Sequence, residues 1–578
     1  MKTAKVLTVF VALWSLGQAD GLDSDDPFRT IPVSASASVR VRDASAVCAS
    51  TAAGSGSGSG SRSFVGFVDL DNDDAAVSAH TFFWFVAATH NPNTAPLTVW
   101  LNGGPGTDSL LGLFNVAPNL TTAANPHTWS AASNMLFLSQ PVGVGFSYES
   151  VRNSSSSSSN GTTGPSTWTT ARASNTKEAA VVAWDVLQTF VQALPKIDAR
   201  VKTHTLHLWT ESYGGHYGPT DEAFFRHFHE MNEKVNNKTV SGIPLQLGTL
   251  GIGSGIIDVL SQYPSFPDYA VNNTYNIQLV SEEVSNYMDF ACHMPNGCVD
   301  QAQQCLYEYY YDSSSMHTVS RCTEATYMCR DNVEGPYYYY SGLNMYDIRR
   351  PDNDSVVSQD FVRFLNQPAT RQALGIASIP ELAAIEYAYE SDGVYEAFAQ
   401  SGDYAYPSFL DDIGYLLDNG VRVVLLYGDA DYMANWFGGE TVSLALNYSQ
   451  ASAFQATSYT NLSFSGPPPP DTSGASNGNT DGYSYGLVRE HGNLSFAVVY
   501  DAGHFVSLDQ PALASELFRR AVTGLDQRDA DASRAGYTLF LHDAHDEWSY
   551  DTDNALLPAI SANLTWGCAV FLRRGRER

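Results

Sequence analysis

The stretch Leu208-Trp209-Thr210-Glu211-Ser212-Tyr213-Gly214-Gly215-His216-Tyr217 constrains this chain more than any other. Residues 202–208 alternate polar and apolar, as a strand would, and residues 220–233 space Phe224, Phe225 and Phe228 as a helix would. A serine therefore falls at a strand-to-helix turn, with Gly214 two residues later. Such a turn lifts the hydroxyl above the sheet edge and aims the next backbone N–H at a developing oxyanion. The first glycine of the usual Gly-x-Ser-x-Gly pattern is here Thr210. A glycine-rich turn with a surface serine would leave the same short signature, so the rest of the chain has to discriminate.

That turn needs a sheet beneath it, and the chain supplies one. Strands are expected at 64–68, 81–86, 97–101, 134–138, 421–427 and 494–500, and helices at 176–194, from 360 and at 380–397. Their alternation predicts an α/β fold of the α/β-hydrolase kind, with a mostly parallel central sheet and helices on both faces. Residues 262–350 break the pattern with Tyr-rich, Cys-containing segments and read as an inserted cap stapled by disulfides. Residues 20–61, ending in a Ser/Gly repeat, read as a flexible lead-in to a domain spanning 62–525. Residues 153–164 and 465–482 read as solvated loops, and 526–578 as a tail without clear periodicity. Asp69-Leu70-Asp71-Asn72-Asp73-Asp74 lacks the Gly and Glu of a calcium loop and reads as a solvated hairpin turn.

Residues 1–19 carry Lys2 and Lys5, an apolar run from Val6 to Leu16, and small residues ending at Ala19, the layout of a secretory signal peptide. No later stretch offers about 18 uninterrupted apolar residues, so no membrane anchor is expected. Ten glycosylation sequons support secretory passage: Asn119, Asn153, Asn160, Asn237, Asn272, Asn353, Asn447, Asn461, Asn493 and Asn563. Of seven cysteines, Cys292, Cys298, Cys305, Cys322 and Cys329 crowd into one segment, which in an exported chain predicts disulfides. Cys48 is the expected sixth partner, Cys568 is left over, and the pairing is not deducible. A zinc site is disfavoured because paired Cys-x-x-Cys units are missing. The formal charge of −30 repels nucleic acid and anionic membranes at neutral pH. Protonation relieves that self-repulsion, which suits a vacuolar, lysosomal or acidic extracellular setting.

A nucleophilic serine needs a base and a group that orients the base, commonly on loops at the carboxyl ends of strands. Val423-Val424-Leu425-Leu426-Tyr427 runs into Gly428-Asp429-Ala430-Asp431, and Ala497-Val498-Val499-Tyr500 into Asp501-Ala502-Gly503-His504. The order Ser, Asp, His is that of α/β-hydrolases. Asp431 lies deeper in its loop than Asp429 and is the expected partner of His504, leaving Asp429 to shape the turn. After another strand, Trp100-Leu101-Asn102-Gly103-Gly104-Pro105-Gly106 places glycines where elbow-type hydrolases keep their second oxyanion donor. A phosphate loop is excluded by the absence of Gly-Lys-Ser/Thr. No cofactor or metal is expected; His542-Asp543-Ala544-His545-Asp546-Glu547 lacks a supporting shell.

With these motifs, and with Glu211-Ser212-Tyr213-Gly214-Gly215-His216-Tyr217 and Asn435-Trp436, the chain resembles the serine carboxypeptidases of the carboxypeptidase Y and cathepsin A family from about Cys48 to Leu525. The resemblance implies an enzyme that releases C-terminal amino acids from peptides and proteins at acidic pH through an acyl-enzyme. It implies Ser212 as nucleophile with Asp431 and His504, an oxyanion hole from the N–H groups of Gly104 and Tyr213, and a substrate-carboxylate clamp of Asn102, the Gly103 backbone and Glu211. Three departures stand out. Thr107-Asp108-Ser109 replaces a Cys-Ser-Ser, which removes a disulfide of some members; Thr210 replaces Gly; and Asn115-Val116-Ala117-Pro118 stands where a second recognition Glu is expected after Leu113-Phe114. An esterase or acyltransferase using the same triad is the alternative, and a non-catalytic secreted binding protein the third. Side-chain preference and oligomeric state are not legible.

Overall fold

The computed structural model describes residues 27–47, 62–72, 77–114, 125–151, 172–219, 224–312, 315–405, 408–463 and 484–523. In chain order its strands are β1 (Arg29–Pro32), β2 (Ala37–Asp43), β3 (Ser63–Asn72), β4 (Val77–Val86), β5 (Leu97–Leu101), β6 (Asn134–Leu138), β7 (Tyr148–Val151), β8 (Thr205–Glu211) and β9 (Gln246–Gly253). There follow β10 (Leu343–Asn344), β11 (Asp347–Pro351), β12 (Arg422–Gly428), β13 (Thr460–Ser463), β14 (Ser484–His491) and β15 (Leu494–Val499). One sheet runs β1-β2-β3-β4-β6-β5-β8-β9-β12-β15-β14-β13, with β7 on β4. Its six central strands, β6 to β15, pair in parallel, and both edges are antiparallel. The expected α/β-hydrolase architecture is what the chain adopts.

The central strands read as apolar runs because both faces are covered, and their period of two divides the core. Leu97, Val99, Leu206, Leu208, Val423, Leu425 and Phe496 join one cluster with the helix Thr176–Ile197. Trp100, Trp209, Val424, Leu426, Ala497 and Val499 face the other way, against Leu513, Leu517 and Phe518 of the helix Pro511–Thr523.

Several expectations are corrected. Part of the segment read as a flexible lead-in, Arg29–Pro32 and Ala37–Asp43, extends the sheet against β3, since Val39 and Val41 are buried. Asp69 belongs to a strand and not to a solvated turn: Arg40 grips its carboxylate through two hydrogen bonds of 2.7 and 2.8 Å, and His80 adds a third contact. The helix expected over 380–397 splits into Pro380–Ala383 and Asp392–Ser401. Between them Tyr389 O accepts from Asp108 N and Ser391 N donates to Gly106 O, and these tertiary bonds outcompete helix continuation.

The segment 262–350 is mostly helical and ends in the β10–β11 hairpin, with Glu282–His293, Cys298–Tyr311 and Met316–Cys329 as its longer helices. The disulfides Cys298–Cys329 and Cys305–Cys322 staple the last two to each other. Among the described residues Cys292 pairs with no other cysteine and is a buried thiol, with burial pushing it up to about 12. Cys48, Cys568, residues 1–19 and the tail fall outside the described residues, as do Asn119, Asn153, Asn160 and Asn563. Of the other sequons, Asn237, Asn272, Asn353, Asn447 and Asn461 are exposed and Asn493 is half-buried.

Candidate active site

Adjacent parallel strands deliver their carboxyl ends to one rim. Going across β5, β8, β12 and β15, that rim carries Asn102 to Gly104, then Ser212, then Asp431, then His504. Ser212 sits at φ +62°, a backbone region costly for a residue with a side chain. It is held there by three hydrogen bonds: its N–H donates to Gly253 O at 2.9 Å, and its carbonyl accepts from Gly215 N at 2.9 Å and Ile256 N at 3.0 Å. The short helix Gly214–Tyr217 follows.

Glycine is obligatory after the turn, because a Cβ on Gly215 would stand 2.3 Å from Ile256 O and one on Gly214 2.5 Å from Thr210 Cβ. The second contact explains the departure at Thr210. A side chain is accommodated there because the residue above it has none.

The loop after β5 lies against the same turn. A Cβ on Gly103 would come within 2.3 Å of Tyr213 N, so only glycine lets the two backbones meet. Gly104, at φ +109°, completes the turn. Neither the Gly104 N–H nor the Tyr213 N–H donates to a backbone carbonyl among the described residues.

His504 is buried, and its Nδ1 lies 2.7 Å from Asp431 Oδ2. Burial works to lower its pKa, but the Asp431 carboxylate, through charge and hydrogen bond, and the field of Glu211 raise it above the usual value. Asp429 turns elsewhere: its Oδ1 accepts from Tyr275 OH at 2.7 Å, and burial pushes it up to about 7. Of the two aspartates, Asp431 is therefore the one bonded to His504.

Beside the turn, the Trp100 indole N–H donates to Asn102 Oδ1 at 2.7 Å, which leaves Asn102 Nδ2 to donate to Glu211 Oε1 at 3.0 Å. Glu211 is 5% exposed. Burial, reinforced by the Asp431 charge and opposed by His504 and Asn102, pushes its carboxyl up to about 7.

Asn102, Gly103, Gly104, Glu211, Ser212 and His504 line one cleft of about 310 Å³. Residues 115–118, where the second recognition Glu was expected, lie outside the described residues. Sequence reading missed the far wall, built by Arg330, Met345 and Tyr346 of the cap and by Tyr389 to Asp392. Tyr346 also orients the histidine: its carbonyl accepts His504 N–H at 2.8 Å and its ring packs 5.0 Å from the imidazole. A tyrosine-rich segment without periodicity gave no signal for it.

Asp108, one of the departures from the family pattern, ties the glycine loop down. It is buried, accepts from Ser139 Oγ at 2.8 Å and Tyr387 OH at 2.9 Å, and packs under Gly145, whose Cβ would fall 2.0 Å from its oxygen. With the bridge between Thr107 and Glu390, it joins the loop to the cleft wall.

Burial raises Asp108 from 3.8 to about 6, so the native state binds its proton more tightly than the unfolded chain does. The stability it contributes is full below 3.8 and lost as pH climbs through about 6, an effect of roughly 3 kcal/mol. Asp108→Asn should therefore gain thermal stability relative to wild type between pH 4 and pH 7. A wild-type-minus-variant difference that does not change with pH would refute this account.

The serine carboxypeptidase family is matched over residues 56–524. Carboxypeptidase S1 homolog B of Arthroderma otae is 35% identical over 492 residues, covering 77% of this chain and 70% of that protein. Carboxypeptidase S1 of Penicillium janthinellum is 30% identical over 451 residues, covering 76% of this chain and 91% of that one. Among solved structures, the prohormone-processing carboxypeptidase Kex1Δp of Saccharomyces cerevisiae aligns with a TM-score of 0.57 at 20% identity, over 81% of this chain and 92% of its own. At that identity the likeness speaks for the fold alone.

Proposed function

The chain belongs to the serine carboxypeptidase family, and from that premise we propose that Ser212, His504 and Asp431 carry the release of C-terminal residues from peptides. The observation that carries this reading is the convergence of Ser212 and His504 on one cleft, with the imidazole bonded at 2.7 Å to a fully buried Asp431.

Asp431 accepts from Nδ1–H, which fixes the tautomer and leaves Nε2 as the base. Nε2 takes the Ser212 proton as Oγ attacks the scissile carbonyl. The oxyanion gathers charge between the N–H groups of Gly104 and Tyr213, preorganised because glycine packing sets their backbones together. His504 then gives its proton to the leaving amine, and water hydrolyses the acyl-enzyme by the same steps in reverse.

Asn102, the Gly103 backbone and Glu211 hold the substrate's terminal carboxylate. A carboxyl held near 7 is protonated in acid and can donate to that anion. The replaced second Glu is what favours the other reading, an esterase or acyltransferase with a weaker clamp. An N-blocked dipeptide and its C-terminal amide separate the two. The carboxypeptidase reading expects the free acid to be cleaved at least about tenfold better in kcat/KM at pH 5, and equal rates would favour the alternative.

The leader-like residues 1–19, the sequons and the two disulfides support passage through the secretory pathway, to the exterior or to a vacuole or lysosome. Among the described residues no helix is long and apolar enough to cross a membrane.

A further inference from the structure

One buried carboxylate bonded to the turn has no part in the scheme above. Asp403 is 4% exposed and follows the helix Asp392–Ser401 and Gly402. Its Oδ2 accepts from Tyr213 OH and from Thr176 Oγ1, each at 2.6 Å, and its Oδ1 accepts from Thr176 N at 2.9 Å. Thr176 opens the helix Thr176–Ile197, whose N-terminal dipole favours an anion. Capping alone does not account for Asp403, however. That helix already has a cap, since Asn175 Oδ1 accepts from Glu178 N at 2.9 Å.

The third donor is the residue next to Ser212. We infer that Asp403 is a positioning residue for the oxyanion hole, holding the Tyr213 ring so that the Tyr213 N–H stays aimed beside Gly104; this rests on the reading of that N–H as an oxyanion donor.

Three observations lead there. Tyr213 is fully buried, with its ring stacked 4.1 Å from His216 and its hydroxyl bonded to Asp403, so the side chain is fixed at both ends. Its backbone adjoins the strained φ of Ser212, a conformation that persists only while neighbours over-determine it. And Tyr213 N is the atom that a Cβ on Gly103 would strike first, so a shift of a few tenths of an ångström in Tyr213 opens the gap between the two N–H groups.

Asp403 itself is fixed from the cap. Gly402, at φ +78°, packs against Cys322, which would lie 2.5 Å from a Cβ there, and Cys322 is stapled to Cys305. The disulfide-bearing helices thus brace the aspartate, and the aspartate braces the hole.

The test uses Tyr213→Phe, Asp403→Asn, Asp403→Ala and the double variant Tyr213→Phe/Asp403→Ala. Sites are counted by fluorophosphonate titration, and kcat and KM are measured on one N-blocked dipeptide. Losing an oxyanion donor outright costs roughly 10²–10³ in kcat, so misaiming one should cost about ten- to a hundred-fold. Tyr213→Phe should show that loss in kcat with KM changed less than about twofold, because the N–H acts on the transition state. The double variant should be no slower than Asp403→Ala alone, since both remove one linkage. Asp403→Asn, whose amide oxygen still accepts from the phenol, should recover part of the rate.

A Tyr213→Phe enzyme with wild-type kcat per titrated site, whatever its melting temperature, would overturn the inference; so would a loss confined to KM. If Asp403→Ala does not fold, Tyr213→Phe decides alone. Wild type that fails to label at Ser212 would instead bring down the reading on which the inference rests, a result distinct from labelled wild type with unaffected variants.

Discussion

Ser212→Ala will fold, melt close to the wild-type temperature, take no fluorophosphonate label and lose roughly a million-fold in kcat. The hydroxyl is the only group removed, and the backbone bonds that hold residue 212 to Gly253, Gly215 and Ile256 do not involve it. Alanine at φ +62° costs about the same as serine. The paired substitutions Asp431→Asn and Asp429→Asn extend the test to the orienting acid. An amide in place of Asp431 offers the wrong partner to His504 Nδ1–H and should cost about 10⁴ in kcat. At Asp429 the lost partner is a tyrosine hydroxyl, so turnover should stay within about tenfold of wild type. Full labelling of Ser212→Ala, or a greater loss at 429 than at 431, would dismantle the assignment.

What the sequence disclosed was carried by short-range signals. Apolar runs marked the central strands because both faces are buried, and the turn was legible because Gly214 and Gly215 have no alternative there. Asp431 and His504 could be read off strand ends because parallel strands deliver their carboxyl ends to one rim.

What stayed hidden depends on distant partners. Asp69 looked like a turn former because its partner, Arg40, lies in a segment whose strands announce themselves weakly. Residues 384–391 have helical composition but are drawn into an extended bridge with Thr107. Tyr346 and Asp403 act through partners 158 and 190 residues away, Tyr346 on His504 and Asp403 on Tyr213, and no local spacing encodes either.

The largest effect of pH should appear at Glu211, and it should depend on whether the substrate has a terminal carboxylate. The raised carboxyl is protonated below about 7 and ionised above it. For a peptide acid, ionised Glu211 faces a second anion, so kcat/KM should fall ~tenfold per pH unit on the alkaline side. The amide of the same peptide needs no such donor, and its kcat/KM should climb with pH until His504 is fully deprotonated.

The two groups are coupled, because the Glu211 charge is one of the causes that raise His504. Protonating Glu211 removes that charge and frees the base at lower pH, so one proton both arms the clamp and eases catalysis in acid. Glu211→Gln makes both conditions permanent. Because the wild-type carboxyl is already neutral below about 7, the variant's acid limb should stay close to wild type, whereas its alkaline loss on the peptide acid should flatten. The measurement is kcat/KM from pH 4 to pH 9 for the matched acid and amide in both enzymes. Superimposable wild-type profiles for acid and amide would mean that no carboxylate clamp operates, and would favour the esterase or acyltransferase reading. A Gln variant that keeps the full alkaline loss would place the titrating group somewhere other than Glu211.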